Sequence, residues 1–251
     1  MRTIIRNWKT AFPVLLIASI LCVMLTSESI HCGGDEYMEA IRAEMNAHAK
    51  ASRRYEGRIM CSIEHMTHNR VIDPPLVSSV ITNESAWKIR AFSSAAARGL
   101  MQLMKSGFEQ ASWANGIKYL EVVKNTNGEI VRYKKGKKKG QPKKKVIIRQ
   151  AYNIRNNISA GVEMLSWLYE RYPYLYDDGS IDEINFEKVI EIYNVGWGRY
   201  HDKGIRNAEY VKNVSRTYAR HRRMFYNTYG TREGFTAYCN NTYRKISRRR
   251  R

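Results

Sequence analysis

The pair Pro74-Pro75, preceded by Asp73, restricts the fold more than any other feature of this sequence, because it marks where one helix must begin. An aspartate can accept hydrogen bonds from the free backbone N–H groups of a first helical turn, and proline is favoured within that turn. Apolar residues then recur at helical spacing to about Trp87, namely Leu76, Val77, Val80 and Ile81. The pattern predicts a helix over 74–87 with one buried face.

Glu84 falls on this apolar face, since Val80 and Ile81 precede it by four and three residues. A helical glutamate normally occupies the opposite, solvated face. Burial raises the pKa of a carboxyl group, and a raised pKa allows it to donate a proton near neutral pH. The spacing also fits a plainer interpretation, in which Glu84 is exposed at a frayed helix end.

Similar apolar periodicity elsewhere predicts a mainly α-helical protein. We expect an N-terminal helical segment over 31–70, and further helices over 99–113, 156–172, 184–195 and 208–224. The helix over 99–113 should place Leu100, Leu103, Met104 and Phe108 on one side. We expect Asn156 or Asn157 to cap the next one.

A strongly basic segment interrupts the helical pattern over 118–150. Asn127-Gly128 is a hairpin turn signal, and eight lysines follow between residues 134 and 145. We interpret 118–150 as a small basic hairpin or loop insertion with an exposed, mobile lysine run. A basic C-terminal tail over 226–251 ends in consecutive arginines and is expected to be disordered there.

The first thirty residues have the order of a secretory signal. Basic residues precede an apolar run over 11–25, and polar residues follow it. The run is short for a membrane span, which needs roughly 20 apolar residues. Segment 1–30 is therefore predicted to be a signal peptide, with an uncleaved anchor as the alternative. Of four cysteines, Cys22 lies in this run, and the remaining three suggest neither a disulfide framework nor a metal site.

The net charge of +20 predicts an acidic partner. Nucleic acid, anionic lipid and the acidic polymers of a bacterial envelope all satisfy that requirement. Specific nucleic-acid recognition is disfavoured, because the basic runs lack interleaved aromatic residues on which bases could stack. No phosphate-binding loop, metal cluster or cofactor fingerprint is visible, so no cofactor is expected.

Four short motifs, taken together, resemble one enzyme family. They are Glu84-Ser85 with Gly99-Leu100-Met101-Gln102, then Asn157-Ile158 with Ala160-Gly161, then Tyr193-Asn194-Val195-Gly196-Trp197-Gly198, and finally Glu209-Tyr210-Val211. In this order they resemble the lytic transglycosylases with the soluble-transglycosylase (SLT) catalytic domain. The resemblance implies a lysozyme-like helical fold, related to goose-type lysozyme, over 71–225.

The same resemblance implies roles for individual residues. Glu84 corresponds to the catalytic acid that later acts as base. The corresponding substrate-binding positions are Ser93, Gln102, Met104, Tyr193, Asn194 and Tyr210. The implied reaction cleaves the MurNAc-GlcNAc β-1,4 bond of peptidoglycan without water and leaves a 1,6-anhydroMurNAc end. It would take place in the periplasm or cell envelope, with membrane anchoring or a phage virion as other settings.

Several alternatives remain open at this point. Val195, Trp197 and Lys105 depart from the residues usual in the family. A hydrolytic muramidase would need a second carboxylate, for which Asp73, Glu64 and Glu109 are candidates. A non-catalytic basic protein that binds cell wall or nucleic acid is a further alternative. Taken singly, Met101 and Met104 could be core filler, Tyr193 a core tyrosine and Asn194 a helix cap.

Overall fold

The computed structural model describes residues 36–175 and 180–248, with side chains as far as residue 240. The predicted signal or anchor over 1–30 lies outside these described residues, as do the last three arginines. Within them, no helix is long and apolar enough to cross a membrane.

The described chain is mainly helical with one small antiparallel sheet, as predicted. The helices before the sheet are α1 (Glu36–His48), a 3-10 helix (Lys50–Tyr55), α2 (Glu56–Thr67), α3 (Pro74–Ser85) and α4 (Lys105–Asn115). The sheet pairs β1 (Leu120–Val122) with β2 (Lys144–Val146). After it come α5 (Ile148–Ala151), α6 (Ile154–Tyr169), α7 (Glu183–Val195), α8 (Trp197–Lys203), α9 (Ala208–Tyr229) and α10 (Arg232–Arg248).

Helix α3 forms the centre of the molecule and begins where the prolines predict. The Asp73 carboxylate accepts a hydrogen bond of 3.1 Å from the Leu76 backbone N–H, and both prolines lie in the first turn. The predicted apolar residues of α3 are all fully buried. Helix α9 packs along α3, and α2 also contacts it. The helix predicted from local signals is thus confirmed and lies in the core.

The N-terminal and C-terminal helices share this core rather than flanking it. The Tyr37 hydroxyl, on α1, donates a hydrogen bond of 2.9 Å to Ser78 on α3. Its ring contacts Phe225 on α9 and Phe235 on α10 edge-on. Helix α10 also buries Cys239, one turn after Phe235. The segment predicted as a basic tail from residue 226 therefore has an apolar face that packs on the domain as far as residue 239.

The basic insertion forms a folded hairpin. Asn125 and Glu129 pair across a turn in which Gly128 has a φ of +82°, so the predicted turn is confirmed. The lysine run is not a free loop, in contrast to the prediction. The backbone of Tyr133 pairs with Gln141 and Gly140, and the chain then returns as β2 along β1. Backbone pairing to a distant strand orders a segment whose composition alone suggests mobility.

Two predicted helix starts were wrong. Helix α4 begins at Lys105 rather than near residue 99, because residues 99–104 form turns and Gln102 has a φ of +44°. Helix α6 begins at Ile154 and is capped by Asn153, whose side chain accepts from the Asn156 backbone N–H. Asn157 is instead buried inside the helix, where it has another function.

Candidate active site

Glu84 lies in the last turn of α3 and is half-buried. The helix ends one residue later, where Ala86 and Trp87 both adopt left-handed backbone angles, with φ of 47° and 66°. Two successive non-glycine residues in this region are strained, and such strain persists only where surrounding contacts hold the backbone. Trp87 supplies such a contact, because its fully buried indole donates a hydrogen bond of 2.8 Å to Glu44.

The Glu84 carboxyl group titrates far from its ordinary range. Burial raises its pKa from 4.5 to about 7, although the Tyr210 hydroxyl and the Asn194 side chain act in the opposite direction. Tyr210 faces the carboxyl closely enough to exert this effect, yet among the described residues its hydroxyl has no hydrogen-bond partner of standard geometry. Near neutral pH a substantial fraction of Glu84 is therefore protonated.

Two tyrosines accompany the carboxyl group. Burial raises the pKa of Tyr193 and of Tyr210 well above the ordinary value, and the nearby Glu84 charge raises both further. Both hydroxyls therefore keep their protons across the physiological range. The Tyr193 hydroxyl donates a hydrogen bond of 2.8 Å to the backbone carbonyl of Met101. This bond ties α7 to the turn that precedes α4.

Met101 is the point where three of the sequence motifs meet. Its N–H donates to the Asn157 side chain at 2.8 Å, and its carbonyl accepts from Tyr193. Its side chain is fully buried and packs on Gly161, where an added Cβ would lie 2.5 Å from Met101 Cε. Asn157 also donates to the Arg98 carbonyl. Motifs far apart in the chain thus hold one turn from both sides.

The remaining predicted substrate-binding residues occupy the surface of this turn and of the loop before it. The Gln102 side chain donates to the Gly99 carbonyl at 2.9 Å and is half-buried. Ser93 accepts a hydrogen bond from the Ala97 N–H and so closes its own loop. Met104 is 50% exposed and is not core filler. The described contacts of Ser93 and Met104 do not join them to Glu84, and their roles stay predictions.

Asn207 contacts both Asn194 and Tyr210, the two residues that lower the pKa of Glu84. The sequence motifs did not indicate it as a site residue. Its side chain donates to Asn194 at 2.9 Å, at the end of α7. The same side chain accepts from the Tyr210 backbone N–H at 3.1 Å and so caps α9. An asparagine directly before a helix start is a recognisable cap signal, but its contact with Asn194 is a product of tertiary structure.

Substitution of Asn207 should separate capping from positioning. We expect Asn207→Ala to lose about 1 kcal/mol of stability with its cap. Asn207→Asp keeps a capping oxygen but loses the donor to Asn194, so it should retain stability while kcat falls about tenfold through misplacement. Urea unfolding measures the first effect, and initial rates of the reaction expected of Glu84 measure the second. Wild-type kcat in both variants would contradict a positioning role.

The candidate second carboxylates of a hydrolase are engaged elsewhere. Asp73 lies at the opposite end of α3, about 16 Å along the helix from Glu84, and accepts from the Tyr218 hydroxyl at 2.9 Å. Glu64 accepts from α10 at 2.8 Å. Glu109 pairs with a hairpin lysine at 3.3 Å. In the described part of the chain, no group of three His, Cys, Asp or Glu side chains could hold a metal ion.

Comparison with known families supports the resemblance seen in the motifs. Residues 61–129 match the family model described as the transglycosylase SLT domain. The matched stretch includes Glu84 and the turn at Met101, whereas Tyr193 and Tyr210 lie beyond it. The predicted resemblance is confirmed over this part of the chain. No curated protein sequence matches the chain.

Solved structures of lytic transglycosylases are similar to part of this chain. The 70 kDa soluble lytic transglycosylase SLT70 from Escherichia coli is 18% identical over 74% of this chain and 24% of its own, with a TM-score of 0.38. An inactive mutant of the lytic transglycosylase Slt from Pseudomonas aeruginosa is 19% identical over 77% and 27%, with a TM-score of 0.40. The chain thus spans about a quarter of the length of these proteins.

Proposed function

We propose that this protein is a peptidoglycan lytic transglycosylase in which Glu84 acts first as acid and then as base. The observation that carries the proposal is the half-buried Glu84 carboxyl group, whose pKa is raised to about 7 beside Tyr210 and Asn194. This group lies within the segment that matches the transglycosylase SLT domain. A carboxylic acid that is protonated near neutrality can supply the proton that a glycosidic oxygen needs on departure.

The first step transfers the Glu84 proton to the oxygen of the MurNAc-GlcNAc β-1,4 bond. The C1–O bond breaks, and positive charge develops on the muramic ring. The ionised Glu84 that remains is stabilised by the Tyr210 hydroxyl and the Asn194 side chain, since both lower its pKa. These two groups therefore favour the state that follows proton transfer, while burial favours the state that precedes it.

The second step needs no external nucleophile. The 6-hydroxyl of the same muramic ring attacks C1, and Glu84 accepts the hydroxyl proton. The product is a 1,6-anhydroMurNAc end, and Glu84 regains its proton for the next cycle. An internal hydroxyl benefits from proximity, which explains how one carboxyl group suffices. The positions of Asp73, Glu64 and Glu109, each in a separate contact, favour this route over a second carboxylate.

The basic surface fits a polyanionic substrate. The lysine-rich hairpin carries eight lysines between residues 134 and 145, of which three pair with Glu109 or Glu121. We propose that the others attract the anionic polymers of the cell envelope. Export to the periplasm or envelope follows from the same proposal, through the segment over 1–30. The N-terminus of the mature protein distinguishes the two forms of this segment. Its removal indicates a signal peptide, and its retention indicates an anchor.

Product analysis tests the reaction. Purified protein is incubated with bacterial sacculi, and the soluble fragments are examined by mass spectrometry. We expect muropeptides that are lighter by one water molecule than their reducing counterparts, as an anhydro end requires. Reducing ends alone would show a hydrolytic muramidase instead. Absence of any released fragment would exclude a glycan-cleaving function and favour a non-catalytic binding protein.

A further inference from the structure

Two thiols meet in the core where helix α10 packs on α2. Cys61 lies on α2 and Cys239 on α10, 178 positions apart in the chain, and both side chains are fully buried. The Cys61 thiol donates to the Cys239 backbone carbonyl at 3.7 Å, and the two thiols are also in hydrogen-bonding contact with each other. In the structure both are free thiols. Their spacing along the chain does not predict this pair, because only the docking of α10 brings them together.

The contacts between the two helices fix the register that brings these thiols together. Arg232, at the start of α10, donates to the Arg70 carbonyl just after the end of α2 at 2.7 Å. One turn further along α10, Thr236 donates to the Glu64 carboxylate at 2.8 Å. The two helices therefore run antiparallel, and the next turn of each places the cysteines opposite each other. The pair is thus the third of three successive contacts along one helix interface.

Helix α10 buries few side chains on the domain. Among its residues whose side chains are described, only Phe235 and Cys239 are fully buried. From residue 232 onward the chain carries seven lysines and arginines and a single acidic residue. Repulsion from a protein whose net charge is +20 opposes the docking of such a segment. A terminal helix with so little buried surface opens at low free-energy cost, and a bond between the two sulfurs would keep it docked.

We propose that Cys61 and Cys239 form a disulfide bond in the mature protein. The bond closes a loop that contains almost the whole domain, and a cross-link over a long loop removes much conformational entropy from the unfolded chain. It also holds Phe235 in place, whose ring contacts Tyr37. Tyr37 in turn donates to Ser78 on α3. The bond therefore stabilises the packing around the central helix.

Formation of the bond needs an oxidant of the disulfide class, such as an oxidised exchange catalyst or oxidised glutathione. One cysteine thiolate attacks a sulfur of that disulfide and releases a first thiol. The other cysteine thiolate attacks the protein sulfur of the mixed disulfide and releases the second thiol. Two electrons pass to the oxidant, whose two sulfurs take up the two protons that the cysteines lose. Export, which belongs to the proposed function, would bring the protein into a compartment where such bonds persist.

The exchange takes place before α10 docks or while it is open. The hydrogen bond with the Cys61 thiol, together with burial, raises the pKa of Cys239 well above its ordinary value. The docked pair therefore contains little of the thiolate that reacts, and its burial also excludes an oxidant. Once the bond has formed, the same burial protects it from reductants.

Refolding in a glutathione buffer tests the bond without reliance on export or on glycan cleavage. The full chain is unfolded and reduced, so that every thiol is accessible, and is then refolded with oxidised and reduced glutathione. Free thiols are alkylated, and the digest is examined by mass spectrometry before reduction. We expect linked peptides that contain Cys61 and Cys239, both in the wild type and in the control Cys22→Ser/Cys32→Ser. Alkylated Cys61 and Cys239, or linkage of either one to Cys22 or Cys32, would overturn the proposal.

Thermal unfolding measures what the bond contributes to stability. Reduction of the refolded wild type should lower its Tm by about 10 °C, as expected for a cross-link over a loop of this length in a domain of this size. The decrease should persist in Cys22→Ser/Cys32→Ser and vanish in Cys61→Ala/Cys239→Ala. Equal Tm values for the oxidised and reduced wild type would overturn the claim that the bond holds α10 in place. A bridged protein that cleaves no glycan would instead contradict the proposed function and leave the bond intact.

Discussion

Replacement of Glu84 by glutamine should abolish the release of glycan fragments from sacculi. General acid–base groups commonly contribute about 10²–10⁴-fold to a rate, and here one group performs both proton transfers. We therefore expect the rate to fall at least about a thousand-fold. Glutamine preserves the shape of the side chain, so folding should be retained. The matched control is Glu39→Gln on α1, where the glutamate is exposed and the rate should be unchanged.

The same variant should be more stable than the wild type at alkaline pH. The pKa of Glu84 is about 7 in the folded protein and 4.5 by ordinary reference, so the folded state binds more protons between these values. Stability consequently falls as pH rises from about 4.5 to 7 and stays reduced above that. Glutamine cannot ionise and escapes this cost, which is about 3 kcal/mol.

Urea unfolding at pH 5 and pH 8 measures the difference. We expect Glu84→Gln to exceed the wild type at pH 8 and to approach it at pH 5. Glu39→Gln should match the wild type at both values. A Glu84→Gln protein that is less stable than the wild type at both pH values would show that Glu84 serves the fold rather than the reaction.

Replacement of Glu44 should lower the free energy of unfolding more than replacement of Glu84 or Asn207. Burial by itself would raise the pKa of this carboxyl group, but the hydrogen bond and charge of His221, with bonds from Thr82 and Trp87, hold the pKa at about 2. His221 is fully buried, and its Nε2 lies 3.0 Å from the carboxylate. Removal of one partner from such a buried group costs about 3–5 kcal/mol, because the others are left unsatisfied.

The position of Glu44 connects this stability to the active site. Its carboxylate accepts from Thr82 at 2.7 Å and from Trp87 at 2.8 Å. These residues lie two positions before and three positions after Glu84, so Glu44 holds both sides of the helix end. We expect Glu44→Ala to unfold at much lower urea concentration than the wild type, and Glu44→Gln to lose less. The surviving folded Glu44→Gln protein should have a reduced kcat.

The pH dependence of wild-type stability is an independent test of the cluster formed by Glu44, His221, Thr82 and Trp87. A depressed pKa contributes stability that is present above the ordinary value of 4.5 and is lost as pH falls toward about 2. The free energy of unfolding should therefore decrease less steeply with falling pH in Glu44→Gln than in the wild type. Glu44→Ala within 1 kcal/mol of the wild type, measured by urea unfolding, would contradict the stabilising role of the cluster.

Local signals predicted the elements whose ends depend on nearby residues. Asp73 and the two prolines place the start of α3, and the cap acts within one turn. The Asn127-Gly128 turn is likewise determined by the positive φ that glycine accepts without strain. In both cases the physical cause and the sequence pattern lie within a few residues of each other, which is why pattern and structure agree.

Long-range contacts explain where the predictions failed. Residues 99–104 have helical spacing, but Asn157 and Tyr193 bind the backbone of Met101 and hold the segment as a turn. Pairing of β2 with β1 orders the lysine run, and burial of Phe235 packs the basic tail against the core. None of these partners can be identified from spacing within the segment itself.

In the candidate site, too, some features follow from local sequence and others from long-range contacts. Helical spacing left open whether Glu84 is buried or exposed, and in the structure its side chain is half-buried. Asn194 is not the cap of α7, a position that Gly196 occupies, and its side chain instead meets Asn207. Met101 is core, as its plainer interpretation held, yet its backbone joins the motifs. The sequence motifs indicated which residues matter, whereas their mutual contacts required the fold.

The fate of water during cleavage tests the central claim most directly. Sacculi are digested in water labelled with heavy oxygen, and the muramic ends of the earliest fragments are examined by mass spectrometry. Ring closure by the 6-hydroxyl under Glu84 predicts anhydro ends that contain no heavy oxygen, and no products from the Glu84→Gln variant. Ends that carry one heavy oxygen at C1, or products formed equally by the variant, would contradict the account.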